Sequence, residues 1–405
     1  MRMQRIIQTT TVTACLLGAG GASAQNMAPA VLLDPQATQV DAGYGTTLAL
    51  TSFGAAIGSV ADNRVWVYPR YRSGFGDPII VTDPFGRNKG LGASVAMHGS
   101  TLVAGAPFMD PCSGGDGPAS SGVLIAYDFS AQRGAPQQLT HPGQDRLDAF
   151  GCSVDIDADT IIAGAKYDNT SGHSAGTAWT FRNINGQWTR EAQLVGTDAH
   201  TGDLAGWSVA VKGNVAVVGA PFANTTFVGA GVARVFERAA SGWTHIATLH
   251  SPTPMSNGAF GVAVATDGTR VVVGETRGNR AFVYLRTQSG WQLEQRLTPS
   301  RGGGEFGAKI QIDGGRLFIG APVSNAVESF ALANGQWTRV QRITSSYGTG
   351  GAQFGSALAL HGRELLVGAR FAGPDGMAML MKQAPGSDGS FGGPTSPGTP
   401  STARR

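Results

Sequence analysis

Short apolar stretches separated by glycine-containing turns run through most of the chain. Between residues 206 and 249, small and β-branched residues at 207–211 are followed by a turn and a second apolar stretch at 215–218. A third stretch covers 231–236, and after a Ser-Gly turn a fourth stretch of alternating character covers 243–249. Such patterns indicate β-strands, and no helical periodicity of useful length accompanies them. This segment therefore predicts four antiparallel strands.

The same unit recurs seven times and is marked by two glycines thirteen residues apart. The pairs are Gly45/Gly58, Gly92/Gly105, Gly151/Gly164, Gly206/Gly219, Gly261/Gly274, Gly307/Gly320 and Gly355/Gly368. An aromatic or apolar residue precedes each first glycine, and an apolar stretch precedes each second one. Four-stranded antiparallel units at this period are typical of β-propellers. We predict an all-β fold over residues 25–383, a seven-bladed β-propeller of four-stranded antiparallel blades.

The beginning of the chain completes the last repeat in this prediction. In most repeats the last apolar residue of the fourth strand stands at one fixed distance from the next first glycine, as Leu194 does from Gly206. Leu33 stands at the same distance from Gly45. The seventh repeat has three predicted strands and is followed only by a polar tail. We therefore predict that residues 30–33 supply the outer strand of the seventh blade, which closes the ring without an open sheet edge.

The two ends of the chain have the composition of processing and linker segments. Residues 1–24 are predicted to be an export signal cleaved after Ala24, with lipid attachment at Cys15 as the alternative. Residues 384–405 are rich in Gly, Pro, Ser and Thr and are predicted to be a disordered tail. No stretch of about 18 apolar residues follows the leader, so no transmembrane segment is predicted. The expected location is secreted or periplasmic.

The charge of the chain argues against a nucleic-acid partner. The formal net charge is +3 with the two arginines of the leader included, which leaves +1 (3 − 2) for the processed chain. Only 14% of the residues are charged, whereas nucleic-acid binding normally needs a concentrated basic face. We predict a monomer with no cofactor.

These residues resemble the FG-GAP repeat family, which builds the seven-bladed head of integrin α-subunits and many bacterial secreted proteins. The first half of the signature is matched at Phe150-Gly151, Phe260-Gly261, Phe306-Gly307 and Phe354-Gly355. The second half is matched at Gly105-Ala106-Pro107, Gly219-Ala220-Pro221 and Gly320-Ala321-Pro322. The resemblance covers about residues 29–383. It implies the propeller fold but no single activity, because this fold carries adhesins, lectins and enzymes alike.

One departure from the integrin-like repeat concerns calcium. The integrin-like repeat inserts an Asp-rich loop between its first two strands, which lengthens the glycine spacing by about six residues. Here all seven spacings are 13, which leaves only tight turns. Asp155, Asp157 and Asp159 imitate the alternating acidic pattern, but Asp155 aligns with a strand position of the next repeat. We predict a polar strand end there and no metal site.

Extra loop length concentrates in repeats 2–4 at one end of the propeller, here called the upper face. This end carries the loops after the second strands and the connections between blades. Loops on a rigid scaffold are common binding sites. The polar residues available there include His141, Lys166 and Asp198. The predicted ligand-binding residues are Asp145, Asp148, Tyr167, Asp168, His173, His200, Asp203 and Trp207.

The leading functional hypothesis is a binding or adhesion module for a protein or glycan on this face. The alternative is a polysaccharide-acting lyase or hydrolase that uses Tyr167 or His200 with a carboxylate. A passive envelope component is a third possibility. No metal-protease, nucleophile or other catalytic spacing occurs, so no catalytic residue is assigned.

Two cysteines remain after removal of the leader, Cys112 and Cys152. They fall at the same end of neighbouring blades, and an even number in an exported protein favours a disulfide. Closing about 40 residues would stabilise the fold by roughly 4 kcal/mol in the chain-entropy model.

Overall fold

The computed structural model describes residues 31–33, 43–84, 90–107, 122–130, 135–142, 148–345, 351–373 and 375–383. Of the sequence predictions, the leader, Asp145 and the tail at 384–405 lie outside these residues. Cys112 lies outside them as well, so the disulfide with Cys152 stays a prediction. Among the described residues, no helix is both long and apolar enough to span a bilayer.

The described residues form strands almost throughout, and each repeat makes one antiparallel sheet. The first strand of the chain is β1 (Val31–Leu33). Blade 1 contains β2 (Thr47–Leu50), β3 (Gly54–Ser59), β4 (Arg64–Tyr71), β5 (Gly74–Phe75) and β6 (Ile79–Thr82). Blade 2 contains β7 (Ser94–His98), β8 (Thr101–Ala106), β9 (Val123–Asp128) and β10 (Gln137–Leu139). Blade 3 contains β11 (Phe150–Asp157), β12 (Thr160–Ala165), β13 (Thr177–Ile184) and β14 (Gln187–Leu194).

The remaining blades repeat this order. Blade 4 contains β15 (Ser208–Lys212), β16 (Val215–Ala220), β17 (Val232–Ala239) and β18 (Gly242–His250). Blade 5 contains β19 (Phe260–Thr266), β20 (Arg270–Glu275), β21 (Arg280–Thr287) and β22 (Gly290–Leu297). Blade 6 contains β23 (Lys309–Asp313), β24 (Arg316–Ala321), a 3₁₀ turn at Pro322–Ser324, β25 (Ala326–Ala333) and β26 (Gln336–Thr344). Blade 7 contains β27 (Phe354–His361), β28 (Glu364–Ala369) and β29 (Met377–Lys382).

Strand β1 closes the ring as predicted. It pairs antiparallel with β29, with Val31 opposite Leu380 and Leu33 opposite Ala378. The seventh sheet thus has the order β1-β29-β28-β27. The first and last blades are joined by hydrogen bonds rather than by two open sheet edges. The predicted seven-bladed β-propeller is confirmed. Blade 1 differs slightly, because its β4 pairs with both β6 and the two-residue β5.

The repeated glycine pair is the contact between neighbouring blades. The second glycine of blade 3, Gly164, lies so close to the first glycine of blade 4 that a Cβ would overlap the carbonyl oxygen of Gly206. The other six second glycines meet the next first glycine in the same way, and the last one, Gly368, meets Gly45. Gly206 has a φ of +86°, which L-residues with a side chain rarely adopt. The sequence pattern therefore reflects close backbone packing around the whole ring.

Hydroxyl groups reinforce this contact in the first four blades. The residue two positions after each first glycine donates a hydrogen bond to the carbonyl of the next first glycine. The donors are Thr47, Ser94, Ser153 and Ser208, at distances of 2.6–2.8 Å. In blades 5 to 7 this position holds Ala263, Lys309 and Ala357.

The hydrophobic core lies between the sheets. The residues that precede the first glycines are all buried: Tyr44, Leu91, Phe150, Ala205, Phe260, Phe306 and Phe354. Each packs with side chains of two neighbouring blades; Phe150, for example, belongs to a cluster drawn from blades 2 and 3. Removing such a buried phenylalanine typically costs about 3–5 kcal/mol. These buried side chains hold neighbouring blades together and so support the upper-face loops.

Candidate binding surface on blades 3 and 4

The long loops of blades 3 and 4, residues 166–176 and 221–231, occupy equivalent positions in the repeat and share several hydrogen bonds. Each begins two residues after the second glycine and ends at a glycine before the third strand. In each, an asparagine side chain accepts an N–H from five residues further along; Asn169 and Asn224 do so at 2.8 Å. Asparagine commonly stabilises turns in this way. Both loops are therefore folded by their own side chains.

Each loop is also hydrogen-bonded to the connection that leads to the next blade. In blade 3, the N–H of Gly202 donates to the carbonyl of His173 at 3.0 Å. In blade 4, the N–H of Asn257 donates to the carbonyl of Val228 at 2.8 Å. These contacts fix the loops against the scaffold, so the side chains they present are held in position before any ligand arrives.

A row of aromatic rings runs from the blade 3 loop to the blade 4 loop. We call Tyr167, Trp207 and Phe222 the aromatic row. The Phe222 ring meets the Trp207 ring edge to face at 5.5 Å, and 45% of Phe222 is exposed. The buried Lys166 places its Nζ 4.3 Å from the Trp207 ring centre and 4.9 Å from that of Tyr167. Contacts of an ammonium with ring faces are attractive and strengthen when water is excluded.

The tip of the blade 4 loop exposes further apolar side chains. We call Phe227, Val228 and Met255 the apolar tip; they are 43%, 69% and 38% exposed. Met255 belongs to the connection that is hydrogen-bonded to this loop. Large apolar side chains grouped on one exposed loop are typical of interaction sites, whereas single exposed ones are ordinary. These side chains are not among the residues predicted from the sequence, most of which are polar.

The predicted site residue Asp203 lies in a buried ionic cluster. Its carboxylate accepts a hydrogen bond from Arg234 at 2.6 Å, and the Arg234 Nε donates to Asp198 at 2.7 Å. Asp203 also accepts the backbone N–H of His200 at 3.0 Å. Burial opposes the ionisation of Asp198, but the Arg234 guanidinium outweighs it and holds the pKa of Asp198 below its ordinary value. These contacts fasten the connection between blades 3 and 4 to β17.

Three other side chains from the predicted set are more accessible. His173 and His200 are exposed, and Tyr167 is half-buried. The imidazole Nδ1 of His200 lies 2.9 Å from the carbonyl oxygen of Asp198, so it donates to that oxygen. Among the described residues, no hydrogen bond links Tyr167 or His200 side chains to a carboxylate.

The remaining predicted residues, Asp148 and Asp168, converge below the surface. Both are buried, and His141 joins them from the connection between blades 2 and 3. The His141 Nε2 lies 3.4 Å from the Asp148 Oδ2. The Asp168 carboxylate accepts the N–H of Thr170 at 2.8 Å. The structure therefore separates the predicted site into an exposed aromatic edge and a buried polar cluster.

The acidic strand of blade 3 has a structural role. The Asp155 carboxylate accepts the N–H of Ile156 and, across the blade boundary, the N–H of Val211, both at 2.8–2.9 Å. Burial raises the pKa of Asp155 to about 6, although these hydrogen bonds oppose the rise. Asp157 accepts hydrogen bonds from Lys212 and the next backbone N–H. Two carboxylates here link the inner strands of blades 3 and 4.

Comparisons with known proteins agree with this architecture. The FG-GAP repeat profile matches residues 136–181, 188–236 and 337–379. No curated protein sequence matches the chain. Virginiamycin B lyase from Staphylococcus aureus is 12% identical in sequence, with a TM-score of 0.58 over 88% of this chain and 100% of that one. The WD40 repeats of RRP9 are 10% identical, with a TM-score of 0.59 over 89% and 99%. At such low identity these likenesses concern the fold alone. The chain is a seven-bladed β-propeller, and three of its segments match the FG-GAP repeat.

Proposed function

We propose that the protein is an exported binding module that takes a protein or carbohydrate ligand on the upper face of blades 2–4. The observation that carries this proposal is the exposed apolar edge formed by the aromatic row and the apolar tip. Soluble proteins seldom leave several large apolar side chains together in water without a partner. A seven-bladed propeller with FG-GAP repeats is also a scaffold that often serves binding.

The chemistry of the edge suits ligands with flat or apolar faces. Aromatic rings combine a large contact area with few rotatable bonds, so little conformational entropy is lost when they bind. Here Phe222 presents its ring to solvent and meets the Trp207 ring edge to face. His173 and His200 are exposed as well and can form hydrogen bonds. This combination accommodates the apolar face of a sugar ring or an apolar side chain of a protein. Because the loops are already held by hydrogen bonds, little ordering remains to be done on binding.

Export agrees with the repeats and with the predicted leader. FG-GAP repeats are typical of extracellular proteins. The leader cleaved after Ala24, the secreted or periplasmic location and the monomeric state remain predictions from the sequence. They belong to the proposal because a module of this kind would meet its ligand outside the cytoplasm.

The test is ligand screening with paired variants. The processed protein would be applied to a glycan array and to a panel of cell-surface proteins, followed by affinity measurement for each hit. We expect Phe222→Ser combined with Phe227→Ser to weaken binding at least tenfold, because central aromatic anchors typically carry much of the binding energy of an interface. Ile184→Ser is the matched control, because Ile184 is 53% exposed but lies in the third hairpin of blade 3.

The unfolding midpoint of each variant would be measured beside its affinity. Surface substitutions of this kind usually change stability by less than about 0.5 kcal/mol. Equal binding by the wild type and the double variant would contradict the proposed surface. So would the absence of any ligand in both screens.

A further inference from the structure

The buried cluster below the blade 3 loop has the composition of a metal site. We call His141, Asp148 and Asp168 the blade 3 cluster. One nitrogen and two carboxylate oxygens, one from each residue, all lie within 4.8 Å of one another. The side chains of His141 and Asp148 are 0% and 2% exposed. Two of the residues come from the connection between blades 2 and 3, and the third comes from loop 166–176.

The orientation of His141 favours a cation in this cluster. Its Nδ1 lies 3.0 Å from the carbonyl oxygen of Pro142, and because a carbonyl only accepts, Nδ1 carries the proton. The other nitrogen, Nε2, faces the Asp148 Oδ2. A neutral imidazole of this tautomer points the lone pair of Nε2 towards the carboxylate, as two ligand atoms of one metal ion would be arranged. Metal-binding histidines commonly donate their second N–H to a carbonyl in this way.

In blade 4, the carboxylate at the position equivalent to Asp148 is neutralised by an arginine. Asp148 and Asp203 each stand three residues before a first glycine, so they are equivalent in the repeat. In blade 4, Arg234 from the third strand pairs with Asp203. The equivalent residue of blade 3 is Trp179, which carries no charge. The internal guanidinium of blade 4 therefore has no counterpart at this strand position of blade 3.

The space of that arginine is taken by the histidine. Ten residues before the first glycine, blade 4 has Gly196, where a Cβ would overlap the side chain of Arg234. Blade 3 has His141 at this position, and its ring stacks on Trp179 with centroids 5.7 Å apart. The cluster also gains Asp168, where blade 4 has Ala223. Blade 3 thus contains two buried carboxylates and an imidazole where blade 4 has an arginine and its carboxylates.

We propose that His141, Asp148 and Asp168 bind a divalent first-row transition metal ion, with Zn²⁺ as the best fit. Such an ion would take the imidazole nitrogen and one oxygen of each carboxylate as its ligands, and these three atoms already lie within 4.8 Å of one another. A tetrahedral ion with bonds of about 2.0–2.2 Å separates its ligand atoms by about 3.4 Å. That is the His141–Asp148 separation seen here. Calcium is disfavoured because it takes six to eight oxygen ligands.

The ion would act as a clamp. It would tie the connection between blades 2 and 3 to the loop that carries Tyr167, and so support the aromatic row from below. The metal site would form whether or not a ligand binds to the aromatic row. Metal binding and ligand binding are measured separately, and Phe222 and Phe227 are not part of the cluster.

The test is metal titration of the full-length processed protein. After dialysis against a chelator, it would be titrated with ZnCl₂, MnCl₂ and CaCl₂ by calorimetry, and the metal content would be measured after gel filtration. We expect one equivalent of zinc to remain bound, no comparable calcium binding, and a rise of about 3 °C in the unfolding midpoint at a zinc concentration 100 times Kd. Co²⁺ should bind with a visible absorption spectrum of low-coordinate geometry.

Asp168→Asn keeps an oxygen for the Thr170 N–H and removes one charge. We expect it to weaken zinc binding at least tenfold, since even outer-sphere partners cost about 10–100-fold. His98→Gln is the matched control. His98 also lies near a carboxylate, at 3.6 Å from Asp157 Oδ1, but it belongs to no group of three ligands among the described residues. Zinc binding should be unchanged there.

Failure of the wild type to retain zinc would overturn the proposal. Equal zinc affinity of the wild type and Asp168→Asn would also overturn it. If Asp168→Asn fails to fold, the titration and the Co²⁺ spectrum of the wild type decide.

Discussion

Loop 166–176 of blade 3 and loop 221–231 of blade 4 have the same length and share several internal hydrogen bonds, but their chemistry differs. The blade 3 loop carries Tyr167, Asp168 and His173, whereas the blade 4 loop has phenylalanine, alanine and valine at these positions. Below the loops, one blade neutralises its buried carboxylate with an arginine and the other offers a histidine and a second carboxylate. The glycines and asparagines that set the backbone are thus independent of the side chains that we propose to bind a ligand or a metal ion.

This difference has a physical basis. A repeat is held to its neighbours through the glycine contacts and the hydrophobic core, so loop side chains can change without altering the blade. A buried carboxylate is the exception, because its charge must be balanced wherever it occurs. The two solutions in adjacent blades can be tested by removing each one.

The largest effect is expected from removal of the internal cation of blade 4. Arg234→Met preserves the aliphatic volume but leaves Asp203 buried without its guanidinium partner. We expect a loss of about 3–5 kcal/mol in the free energy of unfolding, measured by urea denaturation. Arg286→Gln is the control, because its pair with Glu237 is exposed and should contribute about 0–1 kcal/mol. A cost below about 1 kcal/mol for Arg234→Met would show that the cluster is solvated.

A smaller effect is expected at Gly196. A Cβ there would overlap the Arg234 side chain, while the φ angle of Gly196 is not in the left-handed region. Gly196→Ala should therefore cost about 1–3 kcal/mol through overpacking alone. In the Arg234→Met background the additional cost should fall, because the longer and pinned guanidinium is gone. Additive costs in this double-mutant cycle would contradict the assignment of one shared space to Arg234 and His141.

The smallest effect concerns Asp155 of blade 3, whose equivalent in blade 4 is Ala210. Burial raises the pKa of Asp155 from 3.8 to about 6. Well below pH 3.8 the Asp155 carboxyl is protonated in both the folded and the unfolded chain, so it does not destabilise the fold. As the pH rises from 4 through 6, the unfolded chain ionises first, so the wild type loses stability relative to Asp155→Asn.

We expect this relative loss to be on the order of 1 kcal/mol between pH 4 and pH 7, because Asp155 is only half-buried. Urea denaturation of both proteins across this range would measure it. If the unfolding free energies of the wild type and Asp155→Asn differed by the same amount at every pH, the substitution would have removed only a hydrogen bond. That result would contradict a raised pKa of Asp155. A wild type that gained stability over the same range would contradict it as well.

The ring could be predicted from the sequence because its determinants are local and repeated. Glycine recurs wherever one blade's backbone approaches the next, so the regular spacing of the glycine pairs predicted seven blades. Leu33 stands as many residues before Gly45 as Leu194 stands before Gly206, and this equal spacing predicted the closing strand. The strands predicted in blade 4 agree closely with β15 to β18, with small differences at their ends.

The site could be predicted only in part. Asp148 and Asp168 were predicted on the upper face, but their convergence with His141 depends on loop conformations that spacing does not encode. Asp203 was expected to face a ligand, whereas Arg234, far away in sequence, binds it. The apolar tip at Phe227 and Val228 had a sequence signal, since it is an unusually apolar segment within a long surface loop.

The most direct test of the contrast between blades 3 and 4 is an anomalous difference map at the zinc absorption edge, from crystals grown with zinc. We predict an anomalous peak for a zinc ion within bonding distance of His141 Nε2 and of one oxygen each of Asp148 and Asp168. We predict no such peak beside Arg234. A His141 ring hydrogen-bonded to Asp148, with no anomalous peak between the three side chains, would contradict it.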